Sequence, residues 1–279
     1  MFRYKRKFGF AVGPKFPFSV FHELRPSFLT ARQTSLFTTF INPNMIAGLS
    51  KAITLYLAPV LTIAAILLSL FAYLAPVLIF QDKVALLSVT PSTVLVQNSS
   101  HPVDGPSVFL GTLGSCSRPK NDADVNCTLA TLSPTYDLSA LPNSAPRLLL
   151  SAPTQATPVF LGLALACSII FFMTFTLISF RHKMGAKMTA ALDNPIAQRL
   201  SAWVGFFGFM IGITSFLILR MWFGKAADDF NNSIIMQRSQ GPQLIASLGN
   251  AFTMVWVAYA FYAVPLIISL SKLNVKASK

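Results

Sequence analysis

Four stretches of this chain are apolar for longer than a soluble core helix needs, and they dictate its solvent before any motif is read. A helix needs roughly 20 apolar residues to cross a bilayer core. Residues 53–80, 158–180, 201–223 and 248–271 each meet that length. Three carry no charge at all, and the third carries only Arg220, near one end. Charged residues make up 11% of the chain, against about 25% in soluble domains. The net charge of +13 would otherwise suggest nucleic acid. Here the cations fall between the apolar stretches, so nucleic acid is not an expected partner. The expected fold class is an all-α membrane protein, a four-transmembrane-helix bundle with a small extracytoplasmic β-rich subdomain.

The loops then orient the chain. Residues 1–52 hold eight lysines and arginines, 181–200 hold four and 272–279 hold three, against only Glu23 and Asp193. The remaining connections, 81–157 and 224–247, hold six against seven aspartates. Positive charge is retained on the cytoplasmic side, so both termini are expected in the cytosol and the 81–157 and 224–247 loops outside. Three Asn-x-Ser/Thr sequons, at Asn98, Asn126 and Asn231, all fall in those two outer loops. They are candidate glycosylation sites.

The basic N-terminal segment interleaves its cations with Phe2, Phe8, Phe10, Phe16, Phe18, Phe21 and Phe28. It lacks the early apolar region of a cleaved signal peptide. Anionic lipid at the cytosolic face is one expected partner, at about 1 kcal/mol per basic residue near the surface. A mitochondrial transit peptide and a disordered tail are the rival readings.

The most specific motif lies in the first outer loop: Phe109-Leu110-Gly111-Thr112-Leu113-Gly114-Ser115-Cys116, followed by Cys127-Thr128. Two cysteines 11 apart in an oxidising compartment are most simply a disulfide. Metal ligation is the weaker reading, because His101 is the only histidine in either outer loop. Gly111 and Gly114 suit a turn or close backbone approach. Upstream, 84–89 and 94–96 are rich in strand formers, bounded by Pro91 and the 98–100 turn.

A Gly-x-Leu-Gly-x-Cys…Cys motif after the first of four spans, built here by Gly111, Leu113, Gly114, Cys116 and Cys127, resembles fungal claudin-like membrane proteins. It is most similar to the PalI and Sur-type family. The stretch 133–142, Ser-Pro-Thr-Tyr-Asp-Leu-Ser-Ala-Leu-Pro, resembles the same loop, as does 145–158. The resemblance covers roughly residues 53–271. It implies a non-enzymatic plasma-membrane organiser or accessory subunit, in ambient-pH signalling, eisosome-type membrane domains or cell-wall integrity. Its implied partners are other membrane proteins, sensor or channel subunits. Related calcium-influx regulators share the loop, so a channel-associated regulator is the alternative.

Within the third span, Gly205, Gly208 and Gly212 form a small-residue face that lets helices approach closely in lipid. Gly162 and Ala166 offer a lesser version in the second span, and Pro59, Pro76 and Pro265 are expected kinks. Arg220 is expected to snorkel to the headgroups, and Trp203 and Trp222 to mark the two interfaces. No span carries Asp, Glu, Lys or His at its middle, where ion and proton pathways are usually marked. With no catalytic constellation or cofactor motif either, neither an enzyme nor a cofactor is expected.

Overall fold

The computed structural model describes residues 56–97, 103–146, 156–183, 185, 189, 192, 194–237 and 240–277. The N-terminal segment and Asn98 therefore lie outside the described residues. Four long helices run through the rest: α1 (Ala58–Leu74), α2 (Ala156–Ser179), α3 (Pro195–Gln237) and α4 (Ala251–Ala277). Three of them, α2, α3 and α4, are long and apolar enough to cross a membrane, while α1 is equally apolar but shorter, at 17 residues. Helices α2 and α3 pack along each other, as do α1 and α4.

Local sequence explains the helix ends. Pro59 stands in the first turn of α1, where its missing N–H costs nothing. Pro76 lies just past the end of α1, so neither proline kinks the helix, whereas Pro265 does sit inside α4. Asn194 precedes Pro195 and accepts the Ile196 N–H through Oδ1 at 2.9 Å, an N-cap for α3.

Helix α3 does not stop at the membrane boundary expected from composition. Residues 224–237, expected as loop, continue the helix to Gln237, and the chain returns as strand β5 (Leu244–Leu248). The physical reason is amphipathicity: Ala227, Phe230 and Ile234 recur at helical spacing and are all buried.

Five short strands form one antiparallel sheet: β1 (Leu87–Pro91), β2 (Ser107–Leu110), β3 (Ser115–Arg118), β4 (Asn126–Cys127) and β5, in the order β4-β3-β2-β1-β5. Residues 94–96, expected as strand, are instead a helical turn, Val94–Gln97. The partner that strand would have needed on β1 is supplied by β5, with Val89 opposite Ala246. Ser92 then accepts the Val94 N–H at 3.3 Å and starts the turn.

Sheet and helices share one core. Leu86, Leu87, Val89, Val108 and Leu110 pack in a single cluster with Phe216, Leu219, Phe223, Phe230, Ile234 and Phe252. A second cluster is wholly helical and joins Ala58, Ala65, Phe171, Phe175, Ala258, Tyr262 and Leu266.

Candidate functional site

The glycine and cysteine motif folds into the hairpin between β2 and β3. Gly111 N–H donates to Gly114 O at 2.9 Å, closing the turn. A side chain at Gly111 would overlap the Ala75 carbonyl and the Pro76 ring at the end of α1. At Gly114 it would meet Thr128 Oγ1 at 2.5 Å and Val77 at 3.1 Å. Glycine is thus required because the hairpin turn sits directly on the chain leaving α1.

The disulfide locks the next rung. Cys116 and Cys127 face each other across β3 and β4 and are bonded, with Cα atoms 4.0 Å apart. Thr128 completes the tie: its N–H donates to Ser115 O at 2.9 Å, and its hydroxyl accepts from Ser115 N–H at 3.0 Å. Arg118 lies over the Phe109 ring at 5.8 Å, beside the bridge.

The stretch 133–142 belongs to the same knot. Tyr136 donates its hydroxyl to Gly111 O at 3.1 Å, and Asp137 N–H donates to Ser115 Oγ at 2.8 Å. Burial pushes the Tyr136 phenol well above its ordinary pKa, so it remains a hydrogen-bond donor. The Ser139 hydrogen bond holds the Asp137 carboxyl below its usual value. Thr128, Tyr136 and the end of α1 were not singled out from sequence as partners of the motif. The local signals were the adjacent Cys127-Thr128 pair and the stretch 133–142, which carries Tyr136.

A second close approach mirrors the first. A side chain at Gly249, between β5 and α4, would overlap the Ala85 carbonyl. Gly249 N–H donates to Leu86 O at 2.8 Å, and Asn250 Nδ2 donates to Lys83 O at 2.8 Å. The segment 75–86 is therefore gripped at both ends by glycine backbone.

The two sequons within the described residues fare differently. Asn126 is exposed on the edge strand β4. Asn231 is half-buried, and its carboxamide pairs twice with Ala246, accepting its N–H and donating to its carbonyl, each at 2.8 Å. That pairing covers the free edge of β5, which would otherwise offer unpaired backbone groups.

Along the bundle the glycine stripe faces inward to α2. Gly205 lies under the Phe171 ring, Gly208 against Cys167, and Gly212 against Ala164 and the Tyr259 hydroxyl. Tyr262 donates to Gly205 O at 3.3 Å. Higher on α3, Arg220 lies over the Trp256 ring at 5.9 Å. It lines an open groove of about 640 Å³ with Leu217, Met221, Lys225, Asp228 and Leu248. Lys225 pairs with Asp229 at 3.2 Å. Trp203 and Trp222 are both about half exposed.

Among the described residues no cluster of three or more His, Cys, Asp or Glu side chains is placed to hold a metal ion. Cys167, the free cysteine, is half-buried in α2. Backbone contact, one covalent bridge and a few side-chain hydrogen bonds fix the sheet on the helical bundle. No protein-family model matches this chain, and no curated protein matches it.

Proposed function

We propose that this chain is a four-span, non-enzymatic, claudin-like organiser or accessory subunit of the plasma membrane. It works by presenting its outer sheet in a fixed pose to another membrane protein. The observation that carries this reading is the shared core of sheet and helices: the outer module cannot tilt independently of α3 and α4 without opening the cluster around Phe223 and Phe230. A rigid module held at the membrane surface suits recognition of a partner's ectodomain. The resemblance of the motif to the PalI and Sur-type loop directs the search to ambient-pH sensing and eisosome-type domains. The charge distribution supports cytosolic termini, with α1 and its apolar flanks as the first span.

Affinity purification in mild detergent, with identification of bound proteins, tests the reading. A specific membrane partner, lost when the sheet is disrupted by Gly111→Val, supports it. Uniform mobile distribution with nothing co-purifying would sink it. Orientation is tested with glycosidase. Because the Asn231 carboxamide pairs with β5, its sequon is best removed by Ser233→Ala, combined with Ser100→Ala and Asn126→Gln. Wild type should shift in mobility and the triple variant should not. Protection of the outer sheet from protease added to intact cells would refute the orientation.

A further inference from the structure

The outer chain can be followed down toward the bilayer one strand at a time. β2 descends to the turn at 111–114, which meets Ala75, Pro76 and Val77 at the end of α1. β3 climbs away from that turn, and β4 returns antiparallel to it with Cys127 beside Cys116. Thr128 N–H then donates to Ser115 O at 2.9 Å, and Thr131 N–H to Leu113 O at 3.0 Å. The stretch 129–132 therefore runs level with the hairpin turn, at the part of the sheet seated on the end of α1. It continues from β4, the edge strand farthest from β5 in the sheet order.

Leu129 is 87% exposed and Leu132 53% exposed at that level. On the segment just past α1, Leu78 and Phe80 are also exposed, Phe80 lying against Phe71 of the helix with ring centroids 5.6 Å apart. The charges of the same hairpin lie at its other end, where Lys120, Asp122 and Asp124 fall between β3 and β4. One arm of the molecule is thus polar at its far end and apolar at its near end. Such an apolar patch marks an interaction surface.

We propose that Leu129 and Leu132 insert into the interfacial zone of the outer leaflet, so that the sheet rests on lipid as well as on the helices. The occupant is lipid because the turn beside this loop, with Val77 and Leu129 both against Gly114, sits on the chain leaving α1, a helix whose Val60, Ile63 and Leu67 are themselves exposed. The backbone suits that depth, since Thr128 and Thr131 have their N–H groups satisfied by carbonyls within the knot. This inference rests on the membrane-spanning reading above.

The test uses the full chain in phospholipid nanodiscs, with an environment-sensitive fluorescent amino acid placed singly at position 129, 122 or 173. Position 173 is an exposed methionine inside α2. Nitroxide lipids labelled near the headgroup should quench the probe at 129 several-fold more than at 122, with blue-shifted emission at 129. Equal quenching at 129 and 122 overturns the inference. So does blue-shifted emission at 129 without quenching, which would mean that a protein surface covers the loop. Lipids labelled deep in the acyl chain should quench the probe at 173. Failure there would count against the membrane-spanning reading itself, whatever happens at 129. Non-reducing mobility of each labelled protein verifies that the bridge is intact.

Discussion

The helical bundle and the sheet solve the same packing problem with different materials. Along the helices many large side chains point out: Ile63, Leu67, Phe160, Ile170 and Met173 are exposed, while Ala58, Ala65, Ala164, Ala258 and the Gly205, Gly208 and Gly212 stripe lie inside, beside the rings of Phe171, Phe175 and Tyr262. In the sheet the order is reversed, with Leu86, Leu87, Val89, Val108 and Leu110 fully buried. Lipid gives no reward for hiding a leucine, so helices associate through small residues and close contact. Water does give that reward, at about 25 cal/mol per Å² of apolar surface. Both regions use glycine for close approach, but the sheet adds a covalent bridge because its strands are only two to five residues long.

The largest effect is expected where the two regions meet. Phe230 is 2% exposed in the shared core; Phe230→Ala should destabilise the sheet by about 3–5 kcal/mol. Limited proteolysis of reconstituted protein should then cut the sheet while α2 and α4 stay protected. If the helices become accessible as well, bundle and sheet are one cooperative unit and the distinction drawn above fails.

Cys116→Ser should cost about 3 kcal/mol on the loop-entropy account for a bridge of this span. The double variant with Cys127→Ser should match each single one, because all lose the same bond. Thiol labelling of the mature protein without reductant checks the premise. Reactive thiols at both positions would end it.

Glycine separates the regions next. Gly111→Ala places a methyl on the Ala75 carbonyl, which cannot swing aside, and should cost about 1–3 kcal/mol. Gly162→Ala in α2 meets only the Tyr73 hydroxyl at 3.6 Å and should be neutral or mildly stabilising. Thermal unfolding in one detergent compares the two.

Thr112 has a smaller effect of opposite sign. It is fully buried in the hairpin turn, and its hydroxyl has no hydrogen-bond partner among the described residues. Thr112→Val removes an unsatisfied polar group and should raise the melting temperature slightly, by about 1 kcal/mol or less in free energy.

The smallest effect is a pH dependence. Asp137 has its carboxyl held below the ordinary value of 3.8 by Ser139. A lowered folded value means that the stabilisation is fully present above the unfolded value and is lost as pH falls through the folded one. Protease sensitivity of 133–142 should therefore stay flat from about pH 8 to pH 5 and rise only in strong acid, near and below the carboxylate range. A rise near pH 6 would mean that another group governs the loop.

Composition and charge alone determined the membrane class, the apolar segments that became α1 to α4, and the paired cysteines. Each of these follows from solvent or from local chemistry: a long uncharged run has one compatible environment, and two cysteines 11 residues apart can reach each other for a bridge. The inward direction of the glycine stripe, the helical turn at Val94–Gln97 and the reach of α3 to Gln237 were decided elsewhere. The periodicity of Ala227, Phe230 and Ile234 was legible but masked by the polar residues between them. Tertiary structure alone joined Gly111 to Ala75, Gly249 to Ala85, Tyr136 to Gly111 and Asn231 to Ala246. Three of these contacts use backbone carbonyls that every residue carries, and the fourth uses both the N–H and the carbonyl of Ala246. No side-chain pattern can announce such a partner, and only the shared core brings the segments close enough to meet.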